Sequence, residues 1–108
     1  MQAHPRQVEV YGTVDGHFPY DEWLDGLRDQ RARYSIQKRI DRVEEGNFGD
    51  CKPVGEGVHE LRIDFGPGYR VYFAEDGPKI VLLLCGGDKA DQKRNIRTAI
   101  KYWRDYKS

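Results

Sequence analysis

"VHELRIDFGPGYRVYF", residues 58–73, decides how the rest of the chain is arranged. Before the Gly-Pro-Gly at 66–68, Leu61, Ile63 and Phe65 alternate with Glu60, Arg62 and Asp64. After it, Tyr69, Val71 and Phe73 alternate with Arg70, Tyr72 and Ala74. A strict period of two puts successive side chains on opposite faces, so each half reads as a β-strand. A short glycine-bearing turn between two such runs reads as a hairpin. The apolar set is expected to pack on helices. Glu60, Arg62, Arg70 and Tyr72 are expected to share the outward, solvated face.

Downstream, "KIVLLLC" (79–85) is continuously apolar, as a central strand covered on both faces would be. "CGGDKADQKRNIRTAIKYWRDYKS" (85–108) reads as a helix, with Asp88 as its N-cap and Ile96, Ala99, Ile100 and Trp103 as its buried stripe. Upstream, "NFGDCKPVGEG" (47–57) reads as turn chemistry. Before it, Ile36, Ile40 and Val43 mark one amphipathic helix, with Gly46 placed to end it as a C′ glycine. Tyr20, Trp23, Leu24 and Leu27 mark a shorter one, and the two together suggest a helical hairpin. "QVEVYGT" (7–13) reads as a first strand. The expected order is β-α-α-β-β-β-α. This is an α+β fold in which a small antiparallel sheet has two helices before its meander and one after.

The 108 residues are expected to form one domain, since there is no room for two independent cores. With 33% charged and 38% hydrophobic residues the composition is that of an ordered, compact protein. No apolar run approaches the roughly 20 residues needed to span a bilayer. The N-terminal stretch lacks the apolar region of a signal peptide, so a cytoplasmic protein is expected, with no membrane partner. Cys51 and Cys85 have no paired spacing and read as structural free thiols. His4, His17 and His59 are far apart, so no metal site or cofactor is expected. His59 falls on the Leu61 side and reads as a packed or rim histidine, while Trp23 and Trp103 are core candidates. A net charge of zero argues against a generic, strongly basic nucleic-acid binder. The basic residues are clustered even so: seven lysines or arginines fall between Lys89 and Lys107, and residues 31–42 form a second basic stretch.

The hairpin's outward face would carry a carboxylate, two guanidiniums and a phenol, with Lys89 at its rim. Such a set suits RNA. Guanidiniums bind phosphate bidentately and stay charged. Tyrosine rings stack on unpaired bases at roughly 1–3 kcal/mol per base. A carboxylate could take the proton of a 2′-hydroxyl while cations stabilise the phosphorane charge that follows, with no metal required. The alternative is a set of cross-strand ion pairs on a solvated sheet, each worth a few tenths of a kcal/mol.

"GVHELRIDFGPGYRVYF", the apolar strand and "CGGDKADQKRNIRTAIKYW" together resemble the RelE/ParE superfamily of type II toxins, closest to the HigB-like "addiction module killer" branch. That resemblance implies a metal-independent endoribonuclease that cuts mRNA in the ribosomal A site, inhibits translation and leaves a 2′,3′-cyclic phosphate. It also implies a cognate antitoxin, often with a helix-turn-helix DNA-binding domain. Arg70 in "GYR" matches the family's phosphate-stabilising arginine, and Arg62 matches a basic position on the preceding strand. Glu60 falls where some relatives carry a glutamate proposed as general base. Lys89 lies near the end of the family's fourth strand and would have to serve as general acid. Tyr69, Tyr72, Lys93 and Arg97 are the expected RNA contacts. On the same fold, ParE-like members inhibit DNA gyrase and lack a catalytic set, and a non-toxic relative that only binds its antitoxin is a further alternative.

Overall fold

The structure, a computed structural model, describes residues 4–108; Met1–Ala3, the start of the segment read above as lacking an apolar leader, lie outside the described residues. Strand β1 (Gln7–Val10) leads to helices α1 (Pro19–Asp25) and α2 (Gln30–Glu44). Strands β2 (Cys51–Gly55), β3 (Val58–Ile63), β4 (Tyr69–Asp76) and β5 (Ile80–Asp88) follow. A single 3₁₀ turn (Lys89–Asp91) then enters helix α3 (Gln92–Lys107). The fold is α+β as expected, in one five-stranded sheet of order β1-β5-β4-β3-β2. The sheet is mixed rather than purely antiparallel, because β1 runs parallel to β5 while every other pair is antiparallel. Among the described residues no helix is long and apolar enough to cross a membrane.

Local chemistry explains most of the element ends. Asp29 caps α2, its Oδ1 accepting from the backbone N–H groups of Arg31 at 2.9 Å and Ala32 at 3.4 Å. Gly46 ends the helix in the left-handed region at φ 87°. Its N–H reaches the Val43 carbonyl at 2.9 Å, and the Asn47 N–H reaches that of Arg42 at 2.8 Å. This is the paired closure that a C′ glycine permits. Asp88 caps the 3₁₀ turn rather than α3 itself, accepting from Ala90 N–H at 3.0 Å. Helix α3 therefore starts at Gln92, a turn later than its capping residue suggested.

Strand β2 corrects the reading of 47–57 as turn alone. Cys51–Gly55 pairs with β3 at the sheet edge, with a register shift between Pro53 and Gly55. Proline is tolerated there because an edge strand leaves one N–H direction unused. The segment lacks alternation of its own, and only its partner makes it a strand.

Both faces of the sheet are covered. Helices α1 and α2 close one face, where Ile36, Ile40 and Val43 pack on Leu61, Ile63, Val71 and Phe73. Helix α3 closes the other, where Ala99 and Trp103 pack on Val58, Tyr72, Ala74 and Leu84. Strand β5 is an interior strand, between β1 and β4, and is covered on both faces as its apolar run suggested. A register shift in its pairing with β4, between Tyr72 and Phe73, leaves Leu82, Leu84 and Cys85 all under α3. The glycines that follow make room for neighbours: a Cβ on Gly86 would lie 2.2 Å from the Trp23 ring, and one on Gly87 would lie 1.8 Å from Asn95 Nδ2.

Candidate phosphate-binding site

The register of the hairpin brings the charged residues together. Glu60 stands opposite Tyr72, and Arg62 stands opposite Arg70. The side chains share one face, as the alternation required. That face is not solvated, however. Glu60 and Tyr72 are fully buried and Arg70 is 9% exposed. The start of α3 lies over them, so the picture of an outward catalytic surface is corrected to a buried network that reaches the surface along one side.

Glu60 is the hub. Its Oε2 accepts from Gln92 Nε2 at 2.7 Å and from the Tyr72 hydroxyl at 3.1 Å. Its Oε1 accepts from Arg62 Nε at 3.0 Å and lies 3.6 Å from Arg70 Nε. Burial alone would raise the carboxyl pKa. Hydrogen bonds from Gln92, Arg62 and Tyr72, together with the Arg70 charge, outweigh it and hold Glu60 below its ordinary value. The Tyr72 hydroxyl moves the other way, raised by burial and by the adjoining carboxylate. Arg70 Nη1 donates to the Tyr69 carbonyl at 3.4 Å, and its buried Nε has no hydrogen-bond partner among the described residues.

The surface end of this network is a cleft of about 360 Å³ between the hairpin tip and the end of β5. Arg62, Arg70 and Lys89 supply its cations; Asp50 and Asp64 supply its carboxylates. The Gly66-Pro67-Gly68 tip forms part of the wall. Lys89 is fixed against that tip by its backbone N–H, which donates to the Gly68 carbonyl at 2.9 Å. Gly68 itself sits at φ 84°, and a Cβ there would lie 3.4 Å from Arg70 Nη1. The turn therefore needs glycine for its backbone conformation, with the guanidinium only at ordinary contact distance. Beyond Lys89, Lys93 and Arg97 continue the positive surface along α3, lining a shallow depression that also contains Lys89.

The tyrosines separate. Tyr72 has no exposed ring to offer a base, because its ring is packed under α3. Tyr69 points to the opposite face, where it meets Trp23 edge-on at 6.2 Å. His59 stacks on Phe73 at 5.3 Å, on the Leu61 side as expected. The thiols are unactivated: burial pushes Cys51 up, and Cys85 up to about 12.

Two contributors escaped the sequence reading. Gln92 occupies the same stripe of α3 as Ile96, Ala99 and Trp103, and a polar residue on a buried stripe was the signal that could have found it. Arg39 of α2 donates to the Arg62 carbonyl, and to that of Phe48 at 2.8 Å, tying the loop before β2 to the end of β3 beside the cleft. Nothing in the spacing of Arg39 announced it.

Comparison with known proteins adds two similarities. The model of the family described as "Phage derived protein Gp49-like (DUF891)" matches residues 22–103. An uncharacterised protein of Haemophilus influenzae is 50% identical over 80 residues, which cover 74% of this chain and 81% of the relative.

Proposed function

We propose, from the premise that this chain belongs to the phage-derived Gp49-like family, a RelE-like toxin family, that it is the toxin of a type II toxin–antitoxin pair of the HigB-like kind, acting as a ribosome-dependent mRNA endoribonuclease in the cytoplasm. The observation that carries this reading is the Arg62–Arg70 pair, two guanidiniums directly opposite one another across β3 and β4 and opening on a cleft rimmed by Lys89. Like charges facing each other in a sheet are destabilising. Glu60 offsets part of that repulsion from within the protein, an anion in the cleft offsets more, and a phosphodiester fits the fork geometry of a guanidinium. In the proposed reaction the 2′-hydroxyl gives up its proton to solvent water as its oxygen attacks the adjacent phosphorus, the P–O5′ bond breaks, and a 2′,3′-cyclic phosphate and a 5′-hydroxyl result. Arg62, Arg70 and Lys89 stabilise the charge that develops on the phosphorane, and Lys89 gives a proton to the leaving oxygen. Lys93 and Arg97 extend the track for the RNA backbone. An antitoxin bearing a helix-turn-helix domain is the proposed partner.

Primer-extension mapping of mRNA ends on programmed ribosomes tests the reading. Wild-type protein should produce new ends within A-site codons. Arg70→Lys, which keeps a buried cation but loses the planar fork, should reduce them about 100-fold or more. Growth arrest without new ends would shift the reading to a gyrase inhibitor, to be checked by DNA supercoiling.

A further inference from the structure

Glu60 is the carboxylate that the RelE-like resemblance casts as a general base, yet its surroundings suit a different task. A base must bring an oxygen within about 3 Å of the hydroxyl it deprotonates. Both oxygens of Glu60 are instead engaged from within the protein, and no part of the residue is exposed. A substrate hydroxyl could reach it only by displacing Gln92, Tyr72 or an arginine. The carboxylates that do line the cleft are Asp50 and Asp64.

We infer that Glu60, Gln92 and Tyr72 form a positioning clamp, in which Glu60 holds Arg62 and Arg70 side by side as an anion fork and Gln92 fixes the carboxylate from the first turn of α3. The inference rests on reading the cleft as an RNA phosphate site. Its physical basis is the register. Arg62 and Arg70 are cross-strand neighbours, and one of them is almost fully buried, so the pair cannot persist without a counter-charge. Glu60 sits two residues from Arg62 on the same face and contacts each guanidinium through its Nε edge. That choice of edge leaves the Nη groups of Arg62 and Nη2 of Arg70 without a contact to the carboxylate, while Arg70 Nη1 donates to the Tyr69 carbonyl. Gln92 and Tyr72 take the remaining oxygen, so the carboxylate cannot rotate away from the arginines. Because Gln92 follows Lys89 by three residues, the same contact also sets where the third cation stands.

The test is a titration of the full chain with inorganic phosphate, followed through the Nε–H resonances of Arg62 and Arg70 in wild type, Glu60→Gln and Gln92→Ala. The clamp predicts phosphate binding about tenfold weaker in Glu60→Gln and about threefold weaker in Gln92→Ala. Both variants should displace the Nε–H signals before any phosphate is added. In cleavage of mRNA on programmed ribosomes the loss should fall on KM, and the acid limb of the pH–rate profile should keep its place in Gln92→Ala. Base catalysis by Glu60 requires the opposite: unchanged phosphate affinity, and kcat lower by about 10²–10⁴ in Glu60→Gln. It also requires an acid limb displaced upward in Gln92→Ala, where the carboxylate has lost its shortest hydrogen bond. Those results would overturn the clamp, as would a wild-type protein that binds no phosphate at the pair. Should Glu60→Gln fail to fold, Gln92→Ala decides alone. If the wild type binds phosphate there and cuts no RNA on ribosomes, the nuclease reading falls and the clamp stands.

Discussion

The two faces of one strand pair do different work. Under α1 and α2 the hairpin offers Leu61, Ile63, Val71 and Phe73, and the contacts are hydrocarbon and aromatic throughout. Under α3 the same two strands offer Val58, Tyr72 and Ala74 at one end, and Glu60, Arg62 and Arg70 toward the start of the helix. The first face holds the fold together, and the second spends part of its packing on a charged network. Alternation makes the division possible, because successive residues of a regular strand point to opposite faces. The lesson is that a polar residue at every second position identifies a shared face but does not say that the face is wet.

The sharpest way to break the comparison is to damage one face and read the other. Phe73→Ala removes a ring buried against Phe48 and His59 and should cost about 3–5 kcal/mol in urea unfolding. Phosphate affinity should be unchanged wherever the variant is still folded. On the other face, Glu60→Ala leaves two neighbouring guanidiniums without their carboxylate and should cost about 3 kcal/mol. Replacing the trio together, Glu60→Leu with Arg62→Met and Arg70→Met, should recover most of that loss while abolishing phosphate binding. A triple variant as unstable as Glu60→Ala would show that the network contributes stability in its own right.

The smallest effect is a pH dependence. Glu60 is held below its ordinary value of 4.5 in the folded protein, so the folded state binds its proton less readily than the unfolded chain does. Its stabilising contribution is therefore complete above about pH 4.5 and is lost as the pH falls through the lower, folded value. The stability advantage of wild type over Glu60→Gln should shrink on acidification through that window and stay constant above it. An advantage that grew on acidification would contradict the ion-paired state of Glu60.

Much of this molecule was settled by short-range chemistry. The period of two in 58–73, the helical stripes and the Gly46 closure each depend on residues a few positions apart, so they are legible in the sequence without knowledge of the fold. The common face of Glu60, Arg62, Arg70 and Tyr72 was legible for the same reason. Strand β2 was not, because Cys51–Gly55 has no pattern of its own and becomes a strand only through hydrogen bonds to β3. Nor was the burial of Glu60, which depends on where α3 returns across the sheet after a 3₁₀ turn and brings Gln92 onto its carboxylate. Sequence by itself determined which residues sit side by side. Only the tertiary structure decided which of those sets meets water, because the cover over Glu60 comes from Gln92, 32 residues further along the chain.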